Sequence, residues 1–192
     1  RSAARPALSG LRFSLEGDQL QITGSDLDIT IAVDLVVAGD EDGHAVIPAR
    51  LATDIVKSFE PGAVTLEVDG ANAQIASGRS QFSVHAIPPE EFPQVAPAGG
   101  ESVKLDPADF ADGLRQVVPA ASSDDSRPIL TGVQLSGENG GLRMVATDSY
   151  RLAVRDLPNT MALDDGRTVL VPSRALQEVT RALAHADELH LD

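Results

Sequence analysis

The sequence repeats three stretches, and they follow in the same order in both halves of the chain. RPALSGL at residues 5–11 returns as RPILTGV at residues 127–133, 122 residues later (127 − 5). LQITGSD at residues 20–26 returns as LRMVATD at residues 142–148, at the same distance. VIPAR at residues 46–50 returns as LVPSR at residues 170–174, 124 residues later (170 − 46). Self-similarity at a fixed period is typical of duplicated structural units, so the sequence predicts two copies of one domain.

Both copies follow the same predicted order of elements. A hairpin comes first, with strands at residues 8–15 and 19–22 in copy one and a turn of Asn139 and Gly140 in copy two, where both residue types tolerate positive φ. A third strand follows at residues 29–33 or 151–154. A proline then precedes a helix, at residues 50–59 or 173–184. Apolar residues at helical spacing predict the buried faces of these helices: Leu51, Ile55 and Phe59 in the first, and Leu176, Val179 and Leu183 in the second.

The two copies differ at their ends. Copy one continues through strands at residues 63–68, 72–77 and 81–86, and then enters a linker rich in Pro and Gly at residues 87–100. Copy two opens with a strand at residues 102–105 and a helix that Asp106 caps, with Pro107 in its first turn. The apolar face of that helix is Phe110, Leu114, Val117 and Val118. We therefore expect one domain at residues 1–100 without its opening strand and helix, and a second at residues 101–192 that stops within a strand.

The charge limits which partners the chain can bind directly. The formal net charge is −14, and Lys57 and Lys104 are its only lysines. Proteins that hold DNA through many phosphate contacts normally present a basic face, so the composition argues against tight direct binding of nucleic acid.

The sequence has no cysteine, which excludes disulfides within it. No apolar run approaches the roughly 18 residues of a membrane span, and no membrane partner is expected.

One stretch of copy two resembles a known family. ATDSYRLAV at residues 146–154 is similar to the signature of the middle domain in bacterial DNA polymerase III beta subunits, the sliding clamps. The flanking RPILTG and VPSR stretches match neighbouring family segments at the right distances. SGRSQFS at residues 77–83, followed by Pro88 and Phe92, resembles the end of the first clamp domain. The resemblance implies an α+β DNA clamp fold in a two-chain ring with three domains per chain, antiparallel sheets outside and helices lining the hole. The third domain is absent from this sequence.

The resemblance also implies the function. Such a clamp encircles double-stranded DNA and tethers the replicative polymerase, without catalysis and without a cofactor. The expected partners are duplex DNA, the DNA polymerase III alpha subunit, the clamp loader and other proteins with a clamp-binding motif, in the cytoplasm at the nucleoid. A ring that holds DNA by topology needs few inward cations, which fits the acidic charge. By resemblance Arg127, Arg5 and Arg1 face the DNA; the alternative for each is a solvated loop arginine.

A pocket for partner peptides is the second implied surface. The resemblance assigns it to Leu130, Thr147, Ser149, Tyr150, Arg151 and Leu152. Apolar residues would form its floor, Arg151 a charged rim and Tyr150 an aromatic wall of the kind enriched in binding hot spots. Many family members carry Gly-His where this chain has Ser149-Tyr150. The alternative is ordinary strand core for Leu130 and Leu152, and a surface aromatic for Tyr150.

The resemblance further implies a joint between subunits. Arg79, Gln81 and Phe82 would contribute the first domain's edge strand to a head-to-tail homodimer in the full-length protein. We expect the 192 residues alone to be monomeric, with aggregation at high concentration.

Two other classes of function stay open at this point. Asp26 and Asp148 occupy matching places in the repeats and could be a carboxylate pair of an enzyme, although an Asp at a strand end more often fixes a turn. The chain could also be an acidic repeat β-module for protein scaffolding without DNA. His44, His85, His185 and His190 lack further ligands at metal-binding spacing. Asp124-Asp125 and Asp164-Asp165 are interpreted as solvated loop charges.

Overall fold

The fold is described by a computed structural model, which covers residues 6–27, 29–93, 102–184 and 186–191. The chain divides into two compact units, Arg1–Ala96 (unit 1) and Pro97–Asp192 (unit 2).

Unit 1 contains two antiparallel sheets and one α-helix. The first sheet has the order β3-β2-β1-β4 and the second the order β5-β6-β7, and helix α1 follows β4 directly. The strands are β1 Gly10–Glu16, β2 Gln19–Ser25, β3 Thr30–Val36, β4 Gly43–Pro48, β5 Thr65–Asp69, β6 Asn72–Ser77 and β7 Ser80–His85, and α1 is Ala49–Ser58.

Unit 2 contains a four-stranded sheet of order β11-β10-β9-β12 and a two-stranded sheet that pairs β13 with β8. Two α-helices pack against each other in this unit, and α2 also lies on β11 and β10. The strands are β8 Val103–Leu105, β9 Gly132–Glu138, β10 Gly141–Thr147, β11 Leu152–Leu157, β12 Thr168–Pro172 and β13 Leu189–Leu191; the helices are α2 Pro107–Val117 and α3 Ser173–Leu183.

The strand register repeats as the sequence does. In unit 1, Arg12 pairs with Thr23 on one side and with Val46 on the other. In unit 2, Gln134 pairs with Val145 and with Leu170 at the equivalent places. The sequence repeats are therefore repeats of one strand arrangement. The antiparallel sheets with few helices agree with the predicted α+β clamp fold.

The core of unit 2 forms where α2 meets the sheet. Phe110, Leu114 and Val117 of α2 are buried with Leu135 and Met144 of the sheet. The helix begins as predicted, because the Asp106 Oδ1 accepts a hydrogen bond from the backbone N–H of Asp109 at 2.9 Å. Leu176 and Leu183 of α3 are buried in the same core and Val179 packs against it, so the predicted apolar faces of α2 and α3 are confirmed.

The predicted buried face of α1 is wrong at one residue. Leu51 is 50% exposed, and Ala52 is buried in its place. Ile55 and Phe59 pack as predicted against the core formed by Ile47 and its neighbours. Residues 52, 55 and 59 follow the 3.6-residue period, whereas steps of four residues drift around the helix, so Ala52 rather than Leu51 points inward.

The strands also begin later than the sequence pattern suggests. Pro6–Ser9 and Pro128–Thr131 form 3₁₀ turns, so Leu8 and Leu130 precede the first strand instead of opening it. In the second turn the Thr131 hydroxyl donates to the carbonyl of Pro128 at 2.9 Å, which closes the turn before Gly132 enters β9. Within the described ranges, no helix is both long enough and apolar enough to cross a bilayer.

The two four-stranded sheets differ in what covers one edge strand, β3 in unit 1 and its equivalent β11 in unit 2. Leu157 of β11 is buried in the core beneath α2. The equivalent residue of β3, Leu35, is exposed together with Ile31 and Val33. Unit 1 therefore presents a row of aliphatic side chains at a place that a helix covers in unit 2.

Candidate partner-binding site

Five of the six predicted pocket residues, Thr147, Ser149, Tyr150, Arg151 and Leu152, lie at the turn between β10 and β11, whereas Leu130 lies in the 3₁₀ turn before β9. The Thr147 hydroxyl donates to the carbonyl of Arg151 at 2.7 Å and accepts from the N–H of Ser149 at 3.1 Å. Ser149 has φ of 79°, a left-handed conformation that glycine adopts without strain. Ser149 thus holds a backbone conformation that residues other than glycine adopt rarely, with its N–H bonded to Thr147.

The Asp148 carboxylate accepts hydrogen bonds from the same turn. Its Oδ1 accepts from the N–H of Tyr150 and from the N–H of Arg151, both at 2.9 Å. Its Oδ2 accepts from the Nε of Arg151 at 3.0 Å. The N–H groups of Tyr150 and Arg151, followed by the Arg151 guanidinium, hold the pKa of Asp148 below its ordinary 3.8. The carboxylate is therefore charged at neutral pH and fixes the direction of Arg151.

Unit 1 contains the same turn. Asp26 Oδ1 accepts from the N–H of Ile29 at 2.8 Å, and Leu27 has φ of 77°. The Ser25 hydroxyl oxygen accepts from the N–H of Leu27 at 3.2 Å, as Thr147 does for Ser149. Asp26 and Asp148 thus each bond the backbone of their own turn. This favours the turn-fixing interpretation of both residues over a catalytic carboxylate pair.

The side chains above the turn are open to solvent. Tyr150 is 94% exposed, Leu152 at the start of β11 is exposed, and Leu130 is half-buried in its 3₁₀ turn. The interpretation of Leu130 and Leu152 as strand core is therefore wrong. The ordered turn therefore presents an aromatic ring, an arginine and the leucine at 152, which offer both apolar contact and a charged donor to a peptide.

Arg127 connects this turn to the loop before it. Its Nε donates to Asp124 Oδ2 at 3.0 Å and its Nη1 donates to the Ser149 hydroxyl at 3.4 Å. The Ser126 hydroxyl, the Ser126 N–H and then Arg127 lower the pKa of Asp124. Asp124 is thus an exposed loop charge, as interpreted, and it also accepts hydrogen bonds from Ser126 and Arg127. Arg1 and Arg5 lie outside the described residues.

Asp165 is a second loop acid with a structural bond. Its Oδ1 accepts from the N–H of Gly140 at 3.1 Å in the hairpin turn between β9 and β10. Asp165 is exposed, in agreement with its interpretation as a solvated loop charge, and it bonds the hairpin turn in addition.

The predicted dimer-edge residues lie at β7. This strand is an edge of the β5-β6-β7 sheet. Arg79 precedes it and is exposed, and the Gln81 amide donates to the Gln74 side chain. Phe82 is also exposed, with its ring centroid 5.8 Å from that of Phe59. Among the described strands none pairs with the outer edge of β7, which lies beside an aromatic ring that its own unit covers only in part.

The histidines that are described do not gather. His44 and His85 lie on β4 and β7, while His190 is on β13, with its Nε2 3.6 Å from Glu188. His185 lies outside the described residues. Among the residues described, no group of His, Asp or Glu is arranged to hold a metal ion.

Sequence reasoning missed two kinds of residue here. It missed Asp124 and Asp148 as supports of Arg127 and Arg151, although an Asp followed closely by a polar residue and an arginine is typical of a side-chain-capped turn. It also missed two exposed aliphatic residues, Ile129 in the 3₁₀ turn before β9 and Leu170 on β12. Their equivalents in the repeat, Ala7 and Val46, are buried, and this difference is visible only in the structure.

Two protein-family models match the chain, one over each of its two units. The family model for the DNA polymerase III beta subunit, N-terminal domain, matches residues 1–96. The model for the central domain of the same subunit matches residues 104–192. The beta sliding clamp of Streptomyces coelicolor is 33% identical over 188 residues, which are 97% of this chain and 50% of that protein. The beta sliding clamp of Bacillus subtilis is 31% identical over 194 residues, 96% of this chain and 51% of that protein.

Solved structures agree with the sequence comparisons. The DNA polymerase III subunit beta of Pseudomonas aeruginosa matches with a TM-score of 0.91 and 30% identity, over 99% of this chain and 53% of that chain. A sliding clamp of Bartonella birtlesii, solved bound to griselimycin, matches with a TM-score of 0.91 and 27% identity, over 100% of this chain and 54% of that one. The chain spans about half the length of these relatives. With two consecutive domain models matched in order, the chain belongs to the DNA polymerase III beta subunit family, the bacterial sliding clamps.

Proposed function

We propose that the full-length protein containing this chain is a sliding clamp that encircles duplex DNA and confers processivity on the replicative DNA polymerase. The observation that carries the proposal is the turn from Thr147 to Leu152, which presents Tyr150 and Arg151 on a hydrogen-bonded support in the central domain. In this proposal the protein acts by tethering and performs no catalysis. Its partners are the polymerase alpha subunit, the clamp loader and other proteins with a clamp-binding motif.

The chemistry of the turn supports capture of a peptide of the form Gln-x-x-Leu-Phe. Leu130 and Leu152 offer aliphatic surface to the Leu-Phe pair. Tyr150 adds a large side chain with only two χ angles, which loses little conformational entropy on binding. Arg151, already oriented by Asp148, supplies N–H donors at the rim for peptide carbonyls or a side-chain amide.

The charge of the chain supports a topological hold on DNA. With a formal net charge of −14, the chain repels phosphate overall. A ring that encloses the duplex stays on DNA without a strong attraction to phosphate, so a few inward cations are enough. We propose that a few arginines, with Arg127 as the candidate in the described part, keep the duplex centred in a ring. The ring forms from two copies through the β7 edge of Arg79, Gln81 and Phe82, in the cytoplasm at the nucleoid.

The experiment that tests this function compares circular with linear DNA. The full-length protein is loaded by a clamp loader onto nicked circular plasmid and isolated by gel filtration in buffer of physiological salt. We expect it to stay with the circle and to be lost after a single restriction cut, since a ring slides off a free end. Retention on linear DNA would contradict a topological hold, and failure to load onto the circle would favour a scaffolding module without DNA.

A further inference from the structure

The turn between β9 and β10 carries an Asn-Gly pair, a sequence that can change chemically without an enzyme. Three asparagines occur in the sequence: Asn72 precedes an alanine, Asn159 a threonine and Asn139 a glycine. The backbone nitrogen that follows an asparagine can attack the carbon of its side-chain amide. A glycine has no side chain to obstruct that attack. Asn139 is therefore the asparagine at which we expect this reaction to be fastest in an unfolded chain.

This reaction, deamidation, exchanges the side-chain amide for a carboxylate in two steps. The Gly140 nitrogen loses its proton to a base in the solvent and bonds the Asn139 Cγ, and the side-chain nitrogen takes up a proton and leaves as ammonia. One water molecule then opens the resulting succinimide ring. Opening at one carbonyl gives aspartate, and opening at the other gives isoaspartate, in which the main chain passes through the side chain. Water and hydroxide are the only co-reactants.

The fold exposes Asn139 but holds the nitrogen that would attack it. Glu138 pairs with Gly141, so the turn has two residues, and Asn139 and Gly140 have φ of 53° and 72°. Asn139 is exposed to solvent. The Gly140 N–H donates to the Asp165 Oδ1 at 3.1 Å. The nitrogen must give up this bond before it can attack, and the nearby carboxylate charge opposes removal of its proton.

The loop that carries Asp165 is bonded to β9 through its backbone. The Gly137 N–H donates to the Arg167 carbonyl at 3.0 Å, and the Gly166 N–H donates to the Gly137 carbonyl at 2.9 Å. A Cβ added at Gly137 would collide with the Asp164 carbonyl oxygen, so the two backbones approach as closely as a glycine allows. The main chain therefore fixes the position of Asp165 beside the turn.

Unit 1 has the same hydrogen bond without the asparagine. Its hairpin turn is Gly17-Asp18, and the Gly17 N–H donates to the Asp42 Oδ1 at 2.7 Å. Asp42 lies in the loop that follows β3, as Asp165 lies in the loop that follows β11. A carboxylate that binds the hairpin turn is therefore a property of the repeated domain. In unit 2 the turn that it binds is an Asn-Gly pair.

We propose that Asn139 is a site of spontaneous deamidation and that Asp165 is the residue that restrains this reaction in the folded protein. The reaction proceeds when the loop of Asp165 opens locally. Its product places a new carboxylate beside Glu138 and Asp165, where like charges repel. Isoaspartate also adds one atom to the main chain of a two-residue turn, so deamidation loosens the end of the β9–β10 hairpin. This chemistry is independent of the proposed tethering role.

The test follows deamidation in the full-length protein by mass spectrometry of its proteolytic peptides. One sample is incubated folded at mildly alkaline pH, and a second is incubated in denaturing urea. We expect Asn139 to react in both samples, more slowly when folded, and faster than Asn72 and Asn159. Two products of equal mass, separable by chromatography, are expected because the ring opens at either carbonyl. Equal rates at Asn139 in the two samples, no reaction in the folded protein, or a single product would each overturn the proposal.

Two variants then test the role of Asp165. Asp165→Ala removes the acceptor and is expected to raise the rate at Asn139 in the folded protein at least about fivefold, because one hydrogen bond to a charged group is lost. Asp164→Ala, the same change one residue earlier, is the matched control and should leave the rate unchanged. The rates at Asn72 and Asn159 report on global unfolding and should not change in either variant. An unchanged rate at Asn139 in Asp165→Ala, or an equal rise at all three asparagines, would show that Asp165 does not restrain the turn.

Discussion

Asp148 holds Arg151 at two points, with Oδ1 2.9 Å from the backbone nitrogen and Oδ2 3.0 Å from the side-chain Nε of the same residue. The arginine of the proposed pocket is therefore positioned before any peptide arrives. A long side chain that is already oriented loses less conformational entropy on binding. This smaller entropy loss increases the affinity of the pocket.

Removing this support should weaken the pocket without touching a residue that contacts the peptide. We expect Asp148→Ala in the full-length protein to lower affinity for a Gln-x-x-Leu-Phe peptide severalfold, because Tyr150 and Arg151 lose their common acceptor. Asp26→Ala is the matched control, since it removes the same turn-fixing bond in unit 1. Isothermal titration calorimetry measures both, and equal losses in the two variants would show that Asp148 acts only through general stability.

Two leucines on different helices, Leu114 and Leu51, should contribute very differently to the free energy of unfolding. Leu114 of α2 is fully buried, and Leu51 of α1 is half exposed. Leu114→Ala should lower the free energy of unfolding by about 2–5 kcal/mol, because it leaves a cavity between helix and sheet. Leu51→Ala should change it by less than about 0.5 kcal/mol, as for other surface substitutions. Urea denaturation followed by circular dichroism measures the free energy of unfolding of both variants. A large decrease for Leu51→Ala would mean that Leu51 is buried, as its four-residue spacing from Ile55 predicts.

The sequence predicted the parts of the fold that periodic patterns and capping residues determine. Asp106 caps α2 and Phe110, Leu114 and Val117 are buried, because a cap and a 3.6-residue stripe are local signals. Leu51 was placed wrongly because Ala52 is too small to stand out in an apolar pattern, although it meets the core at the right angle.

The candidate site was predicted only in its residue identities. The repeat and the resemblance pointed to the stretch from Thr147 to Leu152, but not to the side-chain bonds that order it. The sequence pattern indicated that Asp148 fixes a turn, but not that it also bonds the Arg151 side chain, and it did not indicate the bonds of Asp124 to Ser126 and Arg127. Phe92 belonged to a stretch that reads as linker, and only the three-dimensional contact with Ala7 and Val46 shows that it is buried.

Direct binding of DNA by the 192-residue chain should be weak and salt-sensitive. The net charge of −14 repels phosphate, and a single described arginine, Arg127, is proposed to face the duplex. We expect a dissociation constant well above the micromolar range at physiological salt, falling as salt is lowered. Anisotropy of a labelled linear duplex over a salt series measures it. Sub-micromolar binding of linear DNA without a loader would contradict the topological account.

The exposed face of β3 should govern self-association of the chain. Ile31, Val33 and Leu35 form a contiguous aliphatic row on this edge strand. Exposed apolar patches on edge strands promote association, so we expect a monomer that aggregates as concentration rises, and less aggregation for Val33→Lys. Met161→Lys, at another exposed apolar residue, is the control and should change nothing. Light scattering over a concentration series measures this, and a discrete dimer at micromolar concentration would show that the chain pairs through another surface.

The most direct test of the central claim, that the turn of the central domain captures partner peptides, is calorimetric titration of a Gln-x-x-Leu-Phe peptide into the full-length protein. Tyr150→Ala and Arg151→Ala should each reduce the binding free energy by on the order of 1–3 kcal/mol, because each removes an anchor from a small pocket. Val36→Ala, which shortens an exposed residue of unit 1, should bind the peptide like the unaltered protein. Unchanged affinity in both pocket variants would contradict the account.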